Sequence, residues 1–201
     1  MKHTIKLFLI FLLIIGCKEP QTSDDIKTCV KNKRNKIIGN TEKFYIYQSY
    51  NNFENMLDNK GFIEKLSKQT HIDLLKELAL NNSKMLELKE KMKNEMRGFD
   101  FLREPAIAKI QVACIKDYLE NFDLDEHKRA LYDKNNLDED KIALYKKNFD
   151  TVLINKDVAK NIQFVVNTPE ALFRELHFRI PILAIIYFKL LDIDGSGELK
   201  K

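Results

Sequence analysis

The sequence predicts a mainly α protein: a compact multi-helix domain behind a flexible N-terminal tether, with room for a few short strands. Three observations carry that expectation. Apolar residues recur at helical spacing through most of the 201 residues, which is the pattern of elements that bury one face. Residues that open or close helices, such as Pro105, Gly98 and Thr168-Pro169-Glu170, stand at the ends of those stretches. Only Phe44 to Tyr47, Thr151 to Ile154 and Ile162 to Val166 are β-prone, and each is short enough to be a strand or a buried helix turn.

Taken in order, the chain divides into residues 1–16, an export signal; 17–40, a tether; and 41–201, a helical domain. Pro20, Gln21, Thr22, Ser23, Asp24 and Asp25 offer no apolar face, so a tether leading into a short first element is expected there. Lys27, Lys31, Lys33, Arg34 and Lys36 follow with no acid among them. Such a cluster reads as a solvated face, or as a patch resting on anionic head groups at roughly 1 kcal/mol per charge.

Thr70 and Asp73 have the spacing of a capping box, and Ile72, Leu75, Leu78 and Ala79 continue the helix they would open. Asn81-Asn82-Ser83 interrupts that pattern. Met85, Leu88, Met92 and Met96 then line a second face, a core stripe or a pliable binding surface, which Gly98 ends beside Phe99 and Phe101. Pro105 suits a first helical turn, where its missing N–H costs nothing, and Ile107, Ile110, Cys114, Tyr118 and Phe122 form the next stripe. Shorter helices are expected through Ala130 and Leu131 and from Ile142 to Phe149, and another begins at Thr168-Pro169-Glu170. Ile180 to Leu191 is the most apolar run after the signal. It is too short to span a bilayer, which takes roughly 20 residues, so it reads as a central core helix with Arg179 just before it and Pro181 near its start.

Composition sets outer bounds on function. There are 34 basic and 30 acidic residues, and two of the basic ones, Lys2 and Lys6, lie in the signal. That balance gives no electrostatic footprint for nucleic acid, whose binding releases counterions only to a strong basic excess. A chain of this length can bury a sizeable core without metals or dense cross-links.

The first seventeen residues speak to location. A cationic start, Met1 to Lys6, precedes nine apolar residues, Leu7 to Ile15, and then Gly16-Cys17. This is the layout of a secretory signal, because only the apolar stretch enters the export channel and only a small side chain fits the peptidase. Ile14-Ile15-Gly16-Cys17 resembles the lipobox of bacterial lipoprotein precursors. The resemblance implies that Cys17 receives the acyl chains and becomes the new N-terminus, that the protein is membrane-anchored in the cell envelope, and that Lys18 directs it to the outer membrane, facing periplasm or cell surface. With Cys17 acylated, Cys29 and Cys114 remain, an even number in a compartment that permits disulfides. They can pair; alternatively Cys114, in phase with Ile107 and Ile110, is a buried thiol.

Phe188 to Leu199 resembles the entering helix and early loop of an EF-hand, with Asp192, Asp194 and Ser196 as alternating oxygen donors and Gly197 at the turn. The sequence ends at Lys201 before the twelfth-position glutamate, so the resemblance implies weak calcium affinity at most, and a polar helix terminus is the plainer reading. His3, His71, His127 and His177 are scattered, and no zinc, di-iron, phosphate-loop or nucleophile-elbow pattern is present. Asp123, Asp125, Glu126 and His127 form a charged segment, and Asp138, Glu139 and Asp140 suit an acidic first helical turn. No catalytic residue and no cofactor are therefore expected. The expectation is a lipid-anchored, non-catalytic protein-binding module of immunity or inhibitor type, or a surface adhesin; an envelope hydrolase with dispersed carboxylates and a calcium-binding lipoprotein are the alternatives.

Overall fold

The computed structural model describes residues 21–38, 46–80, 105–120 and 157–191, together with positions 86, 89, 90, 92, 140, 143–145, 147 and 148. Among these residues all regular structure is helical, and the β-prone stretches resolve accordingly: Ile46 opens a helix and Ile162 to Val166 lie inside another. Thr151 to Ile154 lie outside the described residues.

Helix α1 spans Gln21–Ile38. The first element is thus longer than its polar composition suggests, and it occupies most of the segment expected to be a tether. The physical reason is a narrow stripe, Ile26, Val30 and Arg34 at four-residue spacing, all buried, with Cys29 beside it. Helix α2, Ile46–Asn59, buries Ile46, Tyr50, Phe53, Glu54 and Leu57 on one face. It ends in a Schellman turn: Phe62 N–H donates to Leu57 O at 2.9 Å and Gly61 N–H to Asp58 O at 2.9 Å. Gly61 takes φ 73°, the left-handed conformation that this turn requires, while Phe62 tucks back against the core.

Helix α3, Lys68–Leu80, starts earlier than the Thr70–Asp73 spacing predicts. Ser67 stands at its entrance with Thr70 N–H directed at Ser67 Oγ, 3.5 Å away. The Thr70 hydroxyl instead ties the preceding turn, accepting from Glu64 N–H at 2.9 Å and donating to Ser67 O at 3.0 Å. Helix α4, Pro105–Glu120, begins at its proline as predicted, and Ile110, Cys114 and Tyr118 are buried in the expected stripe.

Helix α5, Val158–Asn167, is capped by Asp157, whose side chain accepts from Ala159 N–H at 2.9 Å. Thr168 closes this helix rather than opening the next: its buried hydroxyl donates to Phe164 O at 2.9 Å. Lys68 covers the same terminus, donating to Val166 O at 3.0 Å and Thr168 O at 2.6 Å. A four-residue helix, α6, Glu170–Phe173, leads into α7, Leu176–Leu190.

Helix α7 is the hub. Every residue from Leu176 to Phe188 is buried, and α2, α3, α4, α5 and α6 all pack against it. A helix apolar on all sides must lie at the centre of a fold or in a membrane, and among the described residues no helix is long and apolar enough to cross a bilayer. Phe53 meets Tyr187 edge-on at 5.5 Å and Tyr118 meets Phe178 at 6.3 Å, so α2 and α4 grip α7 through aromatic contacts.

Pro181 sits inside α7, where it has no N–H for the carbonyl four residues back, that of His177. The vacancy is met from α4, as buried Gln111 directs its Nε2 at His177 O, 3.4 Å away. Phe178 O, one position on, has Tyr145 Oη 3.4 Å away. A defect in one helix thereby becomes a joint between two elements.

Candidate functional site

The densest polar arrangement in the described core lies where α2, α3 and α7 meet. Glu54 is placed on the buried face of α2 by its register beside Phe53, and Arg179 enters from the first turn of α7. Arg179 Nε and Nη2 donate to Glu54 Oε1 and Oε2 at 2.5 and 3.0 Å, a two-pronged pairing between groups that are 2% and 0% exposed. Its Nη1 donates to Phe173 O at 2.7 Å, satisfying the last carbonyl of α6, and its guanidinium lies over the Phe173 ring at 5.8 Å. Lys65 approaches Glu54 Oε2 to 3.7 Å from the half-exposed edge and also donates to Asn55 Oδ1 at 2.8 Å.

His71 completes the cluster. Its Nδ1 lies 2.8 Å from Ser67 O, so Nδ1 carries the proton and donates, which leaves Nε2 buried with no hydrogen-bond partner among the described residues. The ring stands edge-on to Phe173 at 5.2 Å. Burial holds the imidazole below its ordinary pKa against the opposing pull of the Ser67 carbonyl and Glu54. His71 is therefore neutral at physiological pH.

Chemically, this cluster is a lock. Both Glu54 oxygens are taken up by Arg179, and they are turned into the core rather than toward solvent. On the same helix, burial and the neighbouring Lys27 lower the pKa of His177 to about 4. The His177 ring packs on Tyr47 at 4.6 Å, tilted by 39°, and Lys27 Nζ lies 5.1 Å from the centre of the same Tyr47 ring. Glu175 is pushed up by burial, with Arg179 acting in the opposite direction. Among the described residues no group of histidine, cysteine or acidic side chains is placed to hold a metal ion.

A second feature joins the N-terminal helix to the body. Cys29 and Cys114 form a disulfide, with Cα atoms 5.7 Å apart, linking α1 to α4. Of the two alternatives the sequence leaves open, the pairing holds: Cys114 is buried, 1% exposed, but as half of a cystine rather than as a thiol. The basic cluster of α1 is less free than its sequence suggests. Arg34 is buried, Lys33 bonds Asp117 of α4 at 2.5 Å, and Lys27 leans on Tyr47.

The remaining sequence-derived candidates, Cys17 and the donors Asp192, Asp194 and Ser196, lie outside the described residues, as do Asp123 to His127 and the Gly98 break with Phe99 and Phe101. Of the methionine stripe, Met92 is buried at 3% exposure, which is the core reading. The features that sequence reasoning missed are Glu54 and Arg179. Their only signal was an arginine abutting the most apolar run of the domain, which requires an acid somewhere to meet it.

Comparison with known proteins finds no match: no family model, curated protein or solved structure is similar to this chain.

Proposed function

We propose that this chain is a bacterial lipoprotein, anchored in the cell envelope through acylated Cys17, whose helical domain acts as a non-catalytic protein-binding module. The observation that carries the reading is the Cys29–Cys114 bridge in a chain whose remaining cysteine, Cys17, closes a stretch that resembles a lipoprotein export signal. Structural disulfides persist where the surroundings are oxidising, so the bridge and the signal point to the same side of the membrane. How the core spends its polar groups supports the non-catalytic part: Glu54 is consumed by Arg179 and Lys65, and Arg179 also by Phe173 O.

Neutralising or sequestering another envelope protein is the concrete role, with display to host factors at the cell surface as its variant. The test is expression of the full chain in a diderm bacterium beside a Cys17→Ala variant. The expected result is an acyl-modified, membrane-bound protein that begins at Cys17, and a variant that is neither. Unmodified chain with an intact Met1 in the cytosol would overturn the reading. Crosslinking and capture from the envelope tests the binding role, and protease treatment of intact cells separates a periplasmic partner from an external one.

A further inference from the structure

We propose that α1 is a strap, held on the body by the Cys29–Cys114 bridge and released as a unit when a dithiol reductant opens it. Three observations point to this. Among the described side chains of α1, residues 25–34, the buried ones are Ile26, Val30 and Arg34, with Cys29 half-buried beside them, so the apolar seat there rests on two residues and the bridge itself. Its main surface is α4, whereas α2, α3, α4, α5 and α6 are each seated on α7. The ion pair from Lys33 to Asp117 is exposed at both ends, 39% and 51%, and so adds little.

On this proposal the α1–α4 contact outweighs the backbone entropy of ordering the helix only with the covalent link in place. The aromatic contacts of the hub with Phe53 and Tyr118 come from α2 and α4, so on this proposal α7 keeps them when α1 leaves.

The two sulfurs differ in access. Cys29 is half-buried while Cys114 is 1% exposed, so a thiolate attacks Cys29 Sγ. The S–S bond breaks, Cys114 leaves as a thiolate and takes up a proton, and the second thiol of the reductant then displaces Cys29. Two electrons and two protons pass from the dithiol, which ends as a disulfide.

The consequence for reach rests on the anchoring proposed above. With α1 docked, the contour from Cys17 to Gln21 is at most ~14 Å; with α1 released and unravelled, the contour from Cys17 to Ile46 is at most ~100 Å. Reduction converts a body held against the bilayer into one on a long leash.

Hydrogen–deuterium exchange on the full chain in detergent, oxidised and after dithiothreitol, tests the strap. Amides of residues 26–38 are expected to exchange at least tenfold faster after reduction, while those of Phe53 to Leu57 and Ile180 to Leu190 are unchanged. A Cys29→Ser variant should match the reduced chain without reductant. Unchanged exchange in α1 would overturn the proposal, and so would parallel loss of protection in α7, which would make the bridge a support for the whole fold. Neutron reflectometry of the chain on a supported bilayer reads the leash: body and bilayer should move apart on reduction. A chain that fails to bind the bilayer yet shows the exchange result removes the anchoring reading and leaves the strap standing.

Discussion

Arg179 and Glu54 lie 125 positions apart in sequence and meet in a fully buried, two-pronged ion pair that fixes the register of α2 against α7. Desolvating two charges consumes most of what their attraction returns, so such a pair specifies an arrangement more than it stabilises one. Removing one partner is a different matter. Glu54→Ala and Arg179→Ala should each lower the unfolding free energy by about 3–5 kcal/mol, because each leaves a buried charge uncompensated. The double variant Glu54→Leu, Arg179→Met should recover most of that loss in urea titrations, and a double variant as unstable as the singles would refute this account.

The joint at Pro181 makes its own prediction. Gln111→Leu leaves His177 O without its side-chain donor, at a cost of about 1–3 kcal/mol. In the Pro181→Ala background the new backbone N–H can take up that carbonyl, so the same Gln111 substitution should cost less. A double-mutant cycle measured by chemical denaturation reads the difference, and strict additivity would show that the two residues do not share the carbonyl.

Acid should destabilise the fold through its buried histidines. His177 falls from 6.5 in the unfolded chain to about 4 in the folded one, chiefly by burial and secondarily by Lys27, and His71 shifts in the same direction, also chiefly by burial. Between those two values the unfolded state binds the proton and the folded state does not, so stability rises with pH across that window and is lost as pH falls through it. The full His177 contribution is on the order of 3 kcal/mol. Melting temperatures of the protein and of a His177→Gln variant, compared from pH 7 down to pH 4.5, should converge on acidification. A constant gap would mean that His177 is not held neutral.

At Gly61 a Cβ would meet nothing within 4 Å, so only the backbone conformation resists substitution. Gly61→Ala should therefore cost about 1 kcal/mol, and Gly61→Asn less, since asparagine tolerates left-handed φ. Equal losses for both would place the cost in packing instead.

Much of the fold is legible in the sequence because burial leaves a periodic trace. The apolarity of Ile180 to Leu191 marks the hub, Pro105 marks the start of α4, and the in-phase position of Cys114 marks a buried sulfur. What is not legible is partnership across distance. Glu54 looks like any surface acid on a half-polar helix, and nothing local says that Arg179 will reach it. Polar residues near helix ends mislead for a related reason: Thr70 and Thr168 can cap, tie a turn or close the preceding helix, and the choice depends on which carbonyl lies nearby. In α1 the misleading feature is sparseness: among its described side chains the buried apolar residues are Ile26 and Val30, and the bridge at Cys29 links the helix to α4.

The order of elements along the chain has a consequence for biogenesis. The hub helix is translated after α1 to α6, so α2, α3, α4, α5 and α6 lack their shared central surface until it emerges, whereas α1 already has its partner in α4. A polypeptide built this way completes its core only once α7 has left the ribosome, so the order of synthesis postpones closure of the assembly.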